Sequence, residues 1–313
     1  MKIAILDDYQ NVALSLADWG SLAAEVVVFT RAFADAGELV RSLAGFDVLV
    51  AMRERTRFPA EVLARLTGLR LLVSTGPANA AIDVAAAREH GITVCGTGYE
   101  SHPAIEHTWA LILGAARNLP AEAESMRSGG WQVSIGEGLH GKTLGVLGLG
   151  RVGSAVARVG RAFGMSAIAW SQNLTPEKAA EHGVRAVTKE QLFAESDVLS
   201  IHVVLSERTR GLVAAADLRS MKPTAVLVNT SRGPVVDEAG LIDVFRAGRI
   251  RGAAIDVFDT EPLPADHQLR SLPNALLTGH VGYVTRDLYT IFYRDTVEDL
   301  AAFQAGSPIR LME

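Results

Sequence analysis

Three polar residues of complementary chemistry, Arg232, Glu261 and His280, each follow a short apolar run in the second half of the chain. A histidine that titrates near neutrality can protonate a carbonyl oxygen, and a neighbouring glutamate favours its charged form and fixes its orientation. An arginine grips a carboxylate through two parallel hydrogen bonds. Each residue alone could equally be an ordinary loop residue, but their shared placement favours a site that reduces a 2-oxo acid.

A glycine pattern marks a second functional segment. Gly148, Gly150 and Gly153 form G-x-G-x-x-G between a predicted strand at 143–147 and a predicted helix at 154–163. The first glycine permits a tight turn, the second lets backbone amides approach a pyrophosphate, and the third lets the helix pack close to the strand. The pattern alone is weak, but its strand–turn–helix context predicts a dinucleotide site.

The end of the next predicted strand, 166–170, bears on the choice between NAD and NADP. An acidic residue there would bind the adenosine ribose hydroxyls, but this chain has Ser171, followed by Gln172 and Asn173. Serine can bind either a hydroxyl or a 2′-phosphate, and no arginine lies beside it to hold the phosphate. The predicted cofactor is therefore NAD or NADP.

The elements that must position these residues alternate along the whole chain. Short apolar runs between helical patterns are typical of parallel sheets covered by helices on both faces. The predicted strands are 3–6, 25–30, 47–51, 69–74 and 92–95, and then 143–147, 166–170, 197–203, 225–228, 252–256 and 275–277. The predicted fold class is α/β with two doubly wound parallel-sheet domains, because the second series repeats the first independently.

The domain boundaries follow from two helical patterns. A helix at 103–117 leads into the second series of strands, and a long amphipathic helix at about 286–303 is predicted to pack back on the N-terminal domain. We therefore predict a Rossmann dinucleotide-binding domain at 101–284, inserted in a flavodoxin-like substrate domain made of 1–100 and 285–313.

Composition limits the classes of partner. The chain has 313 residues and a formal net charge of -5 without a basic block, which argues against nucleic-acid binding. No apolar run approaches membrane length, the acidic start is unlike a signal peptide, and Cys95 is the only cysteine, so we expect a cytoplasmic protein.

His102, Glu106 and His107 invite a metal hypothesis, but no third ligand at recognisable spacing supports it, and capping and packing roles are favoured, so no metal is predicted.

These motifs together resemble the D-isomer-specific 2-hydroxyacid dehydrogenase family over almost the full length. The resemblance rests on the glycine loop, Gly130-Trp131 and Gly141-Lys142-Thr143-Leu144 before it, Asn229-Thr230-Ser231-Arg232-Gly233, Asp256-Val257-Phe258 with Glu261-Pro262, and His280-Val281-Gly282. It implies an NAD(P)-dependent oxidoreductase similar to glyoxylate or hydroxypyruvate reductases and phosphoglycerate dehydrogenases. In this reading Arg232 binds substrate, Glu261 tunes the histidine and His280 transfers the proton.

The resemblance also implies a set of cofactor contacts, a homodimer formed through the nucleotide domain, and an active site in an interdomain cleft. Asp256 is expected near the nicotinamide amide. The implied cofactor-binding residues are Gly148, Gly150, Arg151, Val152, Gly153, Ser171, Thr230, Ser231, Asp256 and Gly282.

The chain departs from the family pattern in the expected substrate loop. Pro77 removes one backbone donor there, while the amides of Ala78 and Asn79 remain available to hold a carboxylate. Arg53 is a second candidate carboxylate contact. Gly279 stands where the family commonly has proline before the catalytic histidine, which predicts a looser or differently shaped loop.

Two alternatives stay open on the sequence. One is a dinucleotide-sensing, corepressor-like binding protein without significant turnover, although the intact Arg232, Glu261 and His280 set favours catalysis. The other is an enzyme that oxidises formate or phosphite, and Glu261 argues against the formate version. Glyoxylate, hydroxypyruvate, a phosphorylated glycerate and longer 2-oxo acids all remain candidate substrates.

Overall fold

The computed structural model describes all 313 residues, and its internal contacts divide the chain into two compact units. Unit 1 comprises Met1–Glu100 and Val284–Glu313, and unit 2 comprises Ser101–Tyr283. Each unit contains one sheet of purely parallel strands, so every connection between neighbouring strands crosses over a face of the sheet.

Unit 1 is built on five parallel strands in the order β2-β1-β3-β4-β5, which is the flavodoxin-like order. Its N-terminal elements are β1 Lys2–Ile5, α1 Ala13–Leu16, β2 Glu25–Val28, α2 Ala36–Leu43, β3 Val48–Ala51, α3 Ala60–Leu63, β4 Leu71–Ser74, α4 Val84–Glu89 and β5 Thr93–Gly96. β3 and β4 are buried along their whole length because helices cover both faces.

Unit 2 is built on seven parallel strands in the order β12-β11-β10-β9-β6-β7-β8. Its elements are α5 His102–Ala116, α6 Leu119–Arg127, β6 Thr143–Leu147, α7 Arg151–Ala162, β7 Ser166–Trp170, α8 Pro176–Glu181, β8 Arg185–Ala186, α9 Lys189–Glu195, β9 Val198–Ile201, α10 Ala215–Ser220, β10 Val226–Asn229, α11 Glu238–Arg246, β11 Gly252–Ile255 and β12 Ala275–Leu277. The strand order reverses between β6 and β9, and the carboxyl ends at such a switch point are where open α/β sheets bind ligands.

The alternation of side chains along each strand divides the core of unit 2 into two layers. Leu144 and Val146 belong to one cluster of buried residues, whereas Leu147 belongs to another. Val226 and Leu227 on β10 also belong to different clusters, because successive side chains of a strand point to opposite faces. The predicted fold class, a Rossmann domain inserted in a flavodoxin-like domain, is confirmed.

A final helix, α12 Arg286–Gln304, returns the chain to unit 1. The residues after it pair with the edge strand β5, where the amide of Gly96 donates to the carbonyl of Arg310 at 2.9 Å and the amide of Met312 donates to the carbonyl of Val94 at 2.9 Å. Charged residues recur along α12, the longest helix, and none of the helices has the extended apolar stretch that crossing a bilayer requires.

Several predicted boundaries were wrong. The strand predicted at 197–203 ends at Ile201, which leaves His202 in the following loop, and the strand predicted at 225–228 is observed at Val226–Asn229. The two-residue strand β8 was not predicted at all. An edge strand this short buries too little apolar surface to leave a recognisable pattern.

Candidate active site

Five strands of unit 2 end in register at one edge of the sheet. Leu147, Ile201, Asn229, Ile255 and Leu277 pair in succession across β6, β9, β10, β11 and β12. The loops that begin just after them therefore share this edge, and they carry the glycine pattern, Arg232, Glu261 and His280. β10 and β12 lie two strands apart, roughly 10 Å at the usual spacing of a sheet, so the sheet brings the three predicted catalytic residues to one region.

The glycine loop has the shape that a pyrophosphate site needs. Gly148 has φ +97°, and a Cβ there would lie 2.5 Å from the carbonyl oxygen of His202. A Cβ on Gly153 would lie 2.0 Å from the carbonyl oxygen of Gly148, so this glycine allows the helix to approach the strand. A Cβ on Gly150 would instead meet no protein atom within 4 Å, so the middle glycine faces open space.

The helix after this loop begins earlier than predicted. α7 starts at Arg151 rather than at residue 154, so Arg151, Val152 and Gly153 form its first turn. The amide of Ser154 is the first to donate within the helix, to the carbonyl of Gly150 at 2.9 Å. The preceding amides have no intrahelical acceptor and carry the positive end of the helix dipole, which suits an anion.

Ser171 follows β7 and lies beside the glycine loop, where the amide of Leu149 donates to its hydroxyl oxygen at 3.5 Å. The segment turns at once, because the amide of Leu174 donates to the carbonyl of Ser171 at 3.0 Å. Gln172 and Asn173 occupy the exposed tip of this turn. No carboxylate is present in the turn, which leaves both forms of the dinucleotide compatible with it.

Arg232 projects from a loop that its own residues hold in shape. Asn229 is buried, and its side chain donates to the carbonyl of Arg232 at 3.0 Å and accepts from the amide of Ser231 at 3.1 Å. The guanidinium of the half-buried Arg232 donates to the carbonyl of Ser231 at 2.7 Å. The hydroxyl of Ser231 also donates to Asn229, at 3.1 Å, so its proton is used within the loop.

Thr230, in the same loop as Arg232, is held by a residue of α5. Its hydroxyl lies 2.8 Å from the hydroxyl of Thr108 on α5. The helix that leads into unit 2 thus touches the loop that carries Arg232.

Glu261 and His280 form a close pair. Nδ1 of His280 lies 2.5 Å from Oε2 of Glu261, and the other carboxylate oxygen accepts from the amide of Phe258 at 2.9 Å. The side chains of His280 and Glu261 are 15% and 26% exposed, so the pair is partly withdrawn from water but remains reachable. The glutamate fixes the imidazole through Nδ1 and leaves Nε2 as the nitrogen that can face a substrate.

Asp256 anchors the turn that carries His280. Its Oδ1 accepts from the hydroxyl of Thr278 at 2.5 Å and the amide of Val281 at 2.9 Å, and its Oδ2 accepts from the amide of Gly282 at 2.8 Å. Its carbonyl accepts from the amide of His280 at 2.7 Å. Four hydrogen bonds to Asp256 thus hold the turn that carries the histidine.

The environment of Asp256 keeps it ionised. Burial alone would raise the pKa of Asp256, but hydrogen bonds from His107, Thr278 and Val281 outweigh burial and lower it. The carboxylate is 1% exposed, so these donors replace the water it has lost. The family resemblance predicted a cofactor contact for Asp256, and no sequence signal indicated this structural role.

His202, after β9, is a second histidine at the same edge. Its Nε2 lies 2.8 Å from the hydroxyl of Ser200. Part of the residue reaches the surface, but burial of its ring lowers the pKa of His202 to about 4. It is therefore neutral near pH 7 and unsuited to act as a proton donor.

The candidate substrate residues of unit 1 surround Gly76. Arg53 has φ +50°, its guanidinium donates to the carbonyl of Thr75 at 3.2 Å, and it lies 4.9 Å from the ring centre of Tyr99. A Cβ on Gly76 would lie 1.9 Å from the guanidinium, so the glycine makes room for Arg53. The guanidinium thus lies directly over this loop.

Ala78 and Asn79 occupy the same loop. The side chain of Asn79 is buried and donates to the carbonyl of Arg53 at 2.6 Å and to the hydroxyl of Ser74 at 2.9 Å. This side chain shapes the loop, whereas Ala78 is exposed. No group of three or more His, Cys, Asp or Glu side chains is arranged to hold a metal ion in either unit.

Known proteins resemble both the sequence and this architecture. Residues 109–282 match the family model described as D-isomer specific 2-hydroxyacid dehydrogenase, NAD binding domain. A glyoxylate reductase from Aeropyrum pernix is 39% identical over 260 residues, which cover 80% of this chain and 78% of the relative. A D-3-phosphoglycerate dehydrogenase from Archaeoglobus fulgidus is 33% identical over 313 residues, but this chain spans only 58% of that longer relative. The crystal structure of a phosphoglycerate oxidoreductase from Vibrio cholerae o395 matches with a TM-score of 0.93 and 39% identity, covering 98% of this chain and 100% of that one.

Proposed function

The chain belongs to the D-isomer-specific 2-hydroxyacid dehydrogenase family, and from this premise we propose that it reduces a small 2-oxo acid with His280 as the acid. It is an oxidoreductase that uses NAD(P) and acts on 2-hydroxy or 2-oxo acids. The observation that carries the assignment of the acid is the 2.5 Å contact between His280 Nδ1 and Glu261 Oε2. A carboxylate at Nδ1 stabilises an imidazolium whose other nitrogen is directed to substrate.

The remaining residues at this edge complete the chemistry. Arg232 supplies the cation that binds the substrate carboxylate and polarises the carbonyl. Gly148, Gly150 and the amides that open α7 would hold the pyrophosphate of a dinucleotide, which would supply the hydride. His280 delivers the proton to the oxygen of the same carbonyl, and Glu261 keeps the ring oriented while the charge on the imidazole changes.

The two units have different proposed tasks. Unit 2 holds the dinucleotide and the acid, and unit 1 is the substrate domain. In unit 1 the backbone amides of the exposed Ala78 and of Asn79, together with the Arg53 guanidinium, are the proposed contacts for an acidic substrate. These groups lie after β3 and β4, at the carboxyl ends of strands.

We further propose that two copies associate through unit 2. α6 and the segment after it expose an unusual number of large apolar side chains, which a partner of the same kind would cover. They are Leu119 at 53% exposed, Met126 at 55%, Trp131 at 69%, Val133 at 59% and Ile135 at 92%. Light scattering should give twice the mass of the chain, and Ile135→Asp should shift it toward the monomer. Val204→Asp, at a residue 85% exposed outside this segment, should not.

The proposed setting is the cytoplasm, without nucleic acid or membrane as partner, as the charge and the single reduced cysteine favour. The decisive experiment is an activity matrix of purified protein on glyoxylate, hydroxypyruvate, phosphohydroxypyruvate, pyruvate and longer 2-oxo acids, each with NADH and NADPH. Turnover with at least one acid is expected. Tight dinucleotide binding without turnover on any acid would contradict the proposal and favour a dinucleotide-sensing protein.

A further inference from the structure

We propose that His107, on α5, is a positioning residue that holds the turn bearing His280. This inference rests on the proposed function, because it assigns a role to His107 through the acid His280. The sequence favours capping and packing roles for the cluster at the start of α5 and gives His107 no part in the site.

His107 contacts the anchor of the turn directly. Its Nε2 lies 3.3 Å from Oδ1 of Asp256 and 3.1 Å from the hydroxyl oxygen of Thr278. A Cβ on Gly282 would lie 3.6 Å from Cδ2 of His107, so the ring also packs against the far end of the turn. The histidine therefore contacts Thr278 before His280 and lies beside Gly282 after it.

The hydrogen bonds around Nε2 define what His107 does. The hydroxyl of Thr278 gives its proton to Asp256 at 2.5 Å, so its oxygen is an acceptor toward His107. The Asp256 carboxylate is also an acceptor. Nε2 of His107 therefore carries a hydrogen and donates it to both groups.

The turn depends on such support. His280 has φ +55°, a conformation that residues other than glycine avoid unless surrounding contacts impose it. Those contacts converge on Asp256, a carboxylate 1% exposed. Removing the His107 donor leaves that buried oxygen with fewer partners, so Asp256 and the turn it anchors are free to shift.

The kinetic test compares two substitutions of His107. His107→Gln places an amide N–H close to the position of Nε2, whereas His107→Leu removes the donor and keeps an apolar side chain. We expect His107→Leu to lower kcat roughly 10- to 100-fold, as loss of an outer hydrogen bond commonly does, with the KM for the oxo acid changed less than about twofold because Arg232 lies on another loop. His107→Gln should recover most of kcat.

A second readout does not depend on turnover. The proton between His280 and Glu261 should give a far-downfield NMR signal, assigned by its loss in Glu261→Gln. We expect His107→Leu to shift or broaden it and His107→Gln to keep it. His182→Gln, at an exposed histidine of the same unit, is the matched control and should alter neither readout.

The outcomes separate the two proposals. An unchanged signal and kcat in His107→Leu, or equal losses in the Leu and Gln variants, would overturn the positioning role. If His107→Leu does not fold, Thr278→Val tests the same link by removing the bridging hydroxyl, and normal kcat with an unchanged signal in that variant would count against the proposal. A wild-type protein inactive on every 2-oxo acid would defeat the proposed function, while the NMR comparison would still decide whether His107 holds His280.

Discussion

The carboxylate of Glu261 lies against Nδ1 of His280 at 2.5 Å, while its second oxygen is held by the amide of Phe258 at 2.9 Å. The glutamate is thus fixed by the backbone of its own loop, and it fixes in turn a histidine on the next loop along the edge of the sheet. This arrangement sets the ring orientation independently of substrate, so the acid is preorganised.

Removal of the imidazole should therefore affect chemistry rather than binding. We expect His280→Ala to lower kcat by roughly 10²- to 10⁴-fold, the range for loss of a general acid, while the Kd for NADH stays nearly constant. Steady-state kinetics and fluorescence titration measure the two quantities. Near-normal turnover would remove His280 from the proposed role.

Arg232 should act mainly on the substrate. We expect Arg232→Ala to raise the KM for the oxo acid by at least about tenfold and to lower kcat as well, because carboxylate binding and carbonyl polarisation are both lost. Arg232→Lys keeps the charge without the two parallel donors, so its KM and kcat should lie between those of Arg232→Ala and wild type. An unchanged KM in Arg232→Ala would contradict the carboxylate contact.

Ser171 should influence the choice of dinucleotide. A carboxylate in Ser171→Asp would accept hydrogen bonds from ribose hydroxyls and repel a 2′-phosphate, so the ratio of kcat/KM for NADH to that for NADPH should rise. Calorimetric Kd values for the two dinucleotides provide a second measure. Ser171→Asn, which adds bulk without charge, is the control, and an unaltered ratio in Ser171→Asp would show that Ser171 does not face the ribose.

Asp299 should make the stability of unit 1 depend on pH. Burial raises the pKa of Asp299 to about 6, although Arg310 donates to it at 2.8 Å, and Asp295 and Glu298 add repulsion. The folded protein thus keeps this proton up to about pH 6, whereas the unfolded chain releases it near pH 4.

This carboxyl should consequently lower the free energy of unfolding as pH rises from about 4 to 6. In denaturant titrations across that range, the free energy of unfolding of Asp299→Asn should fall less, or rise more, with increasing pH than that of wild type. Asp18→Asn, at an exposed position, should retain the wild-type slope. Identical slopes for Asp299→Asn and wild type would mean that the group does not titrate there.

The sequence was informative where local pattern determines structure. Strands 143–147, 166–170 and 275–277 were predicted with their observed bounds, because a glycine or a hydroxyl residue follows each apolar run. The sequence predicted the chemical roles of Glu261 and His280 but not the distance between them. Their contact joins residues 19 apart, which the pairing of β11 with β12 brings together.

Other features could not be foreseen from one sequence. The His107 contact spans 149 residues to Asp256, and nothing in the pattern of α5 indicates which side chain faces the sheet edge. The early start of α7 was missed because the helix was predicted to begin after the glycine pattern, at residue 154, whereas Gly153 lies inside its first turn. Long-range contacts of this kind depend on tertiary structure and leave no local signal.

The pairing of Arg310 and Met312 with β5 has a consequence for synthesis on the ribosome. Unit 2 is one continuous stretch, so its sheet can form as soon as residue 283 has left the exit tunnel. β5 must wait for a segment made more than 200 residues later, and until then its edge has unsatisfied amides and carbonyls. The first unit to be translated is therefore the last to be completed.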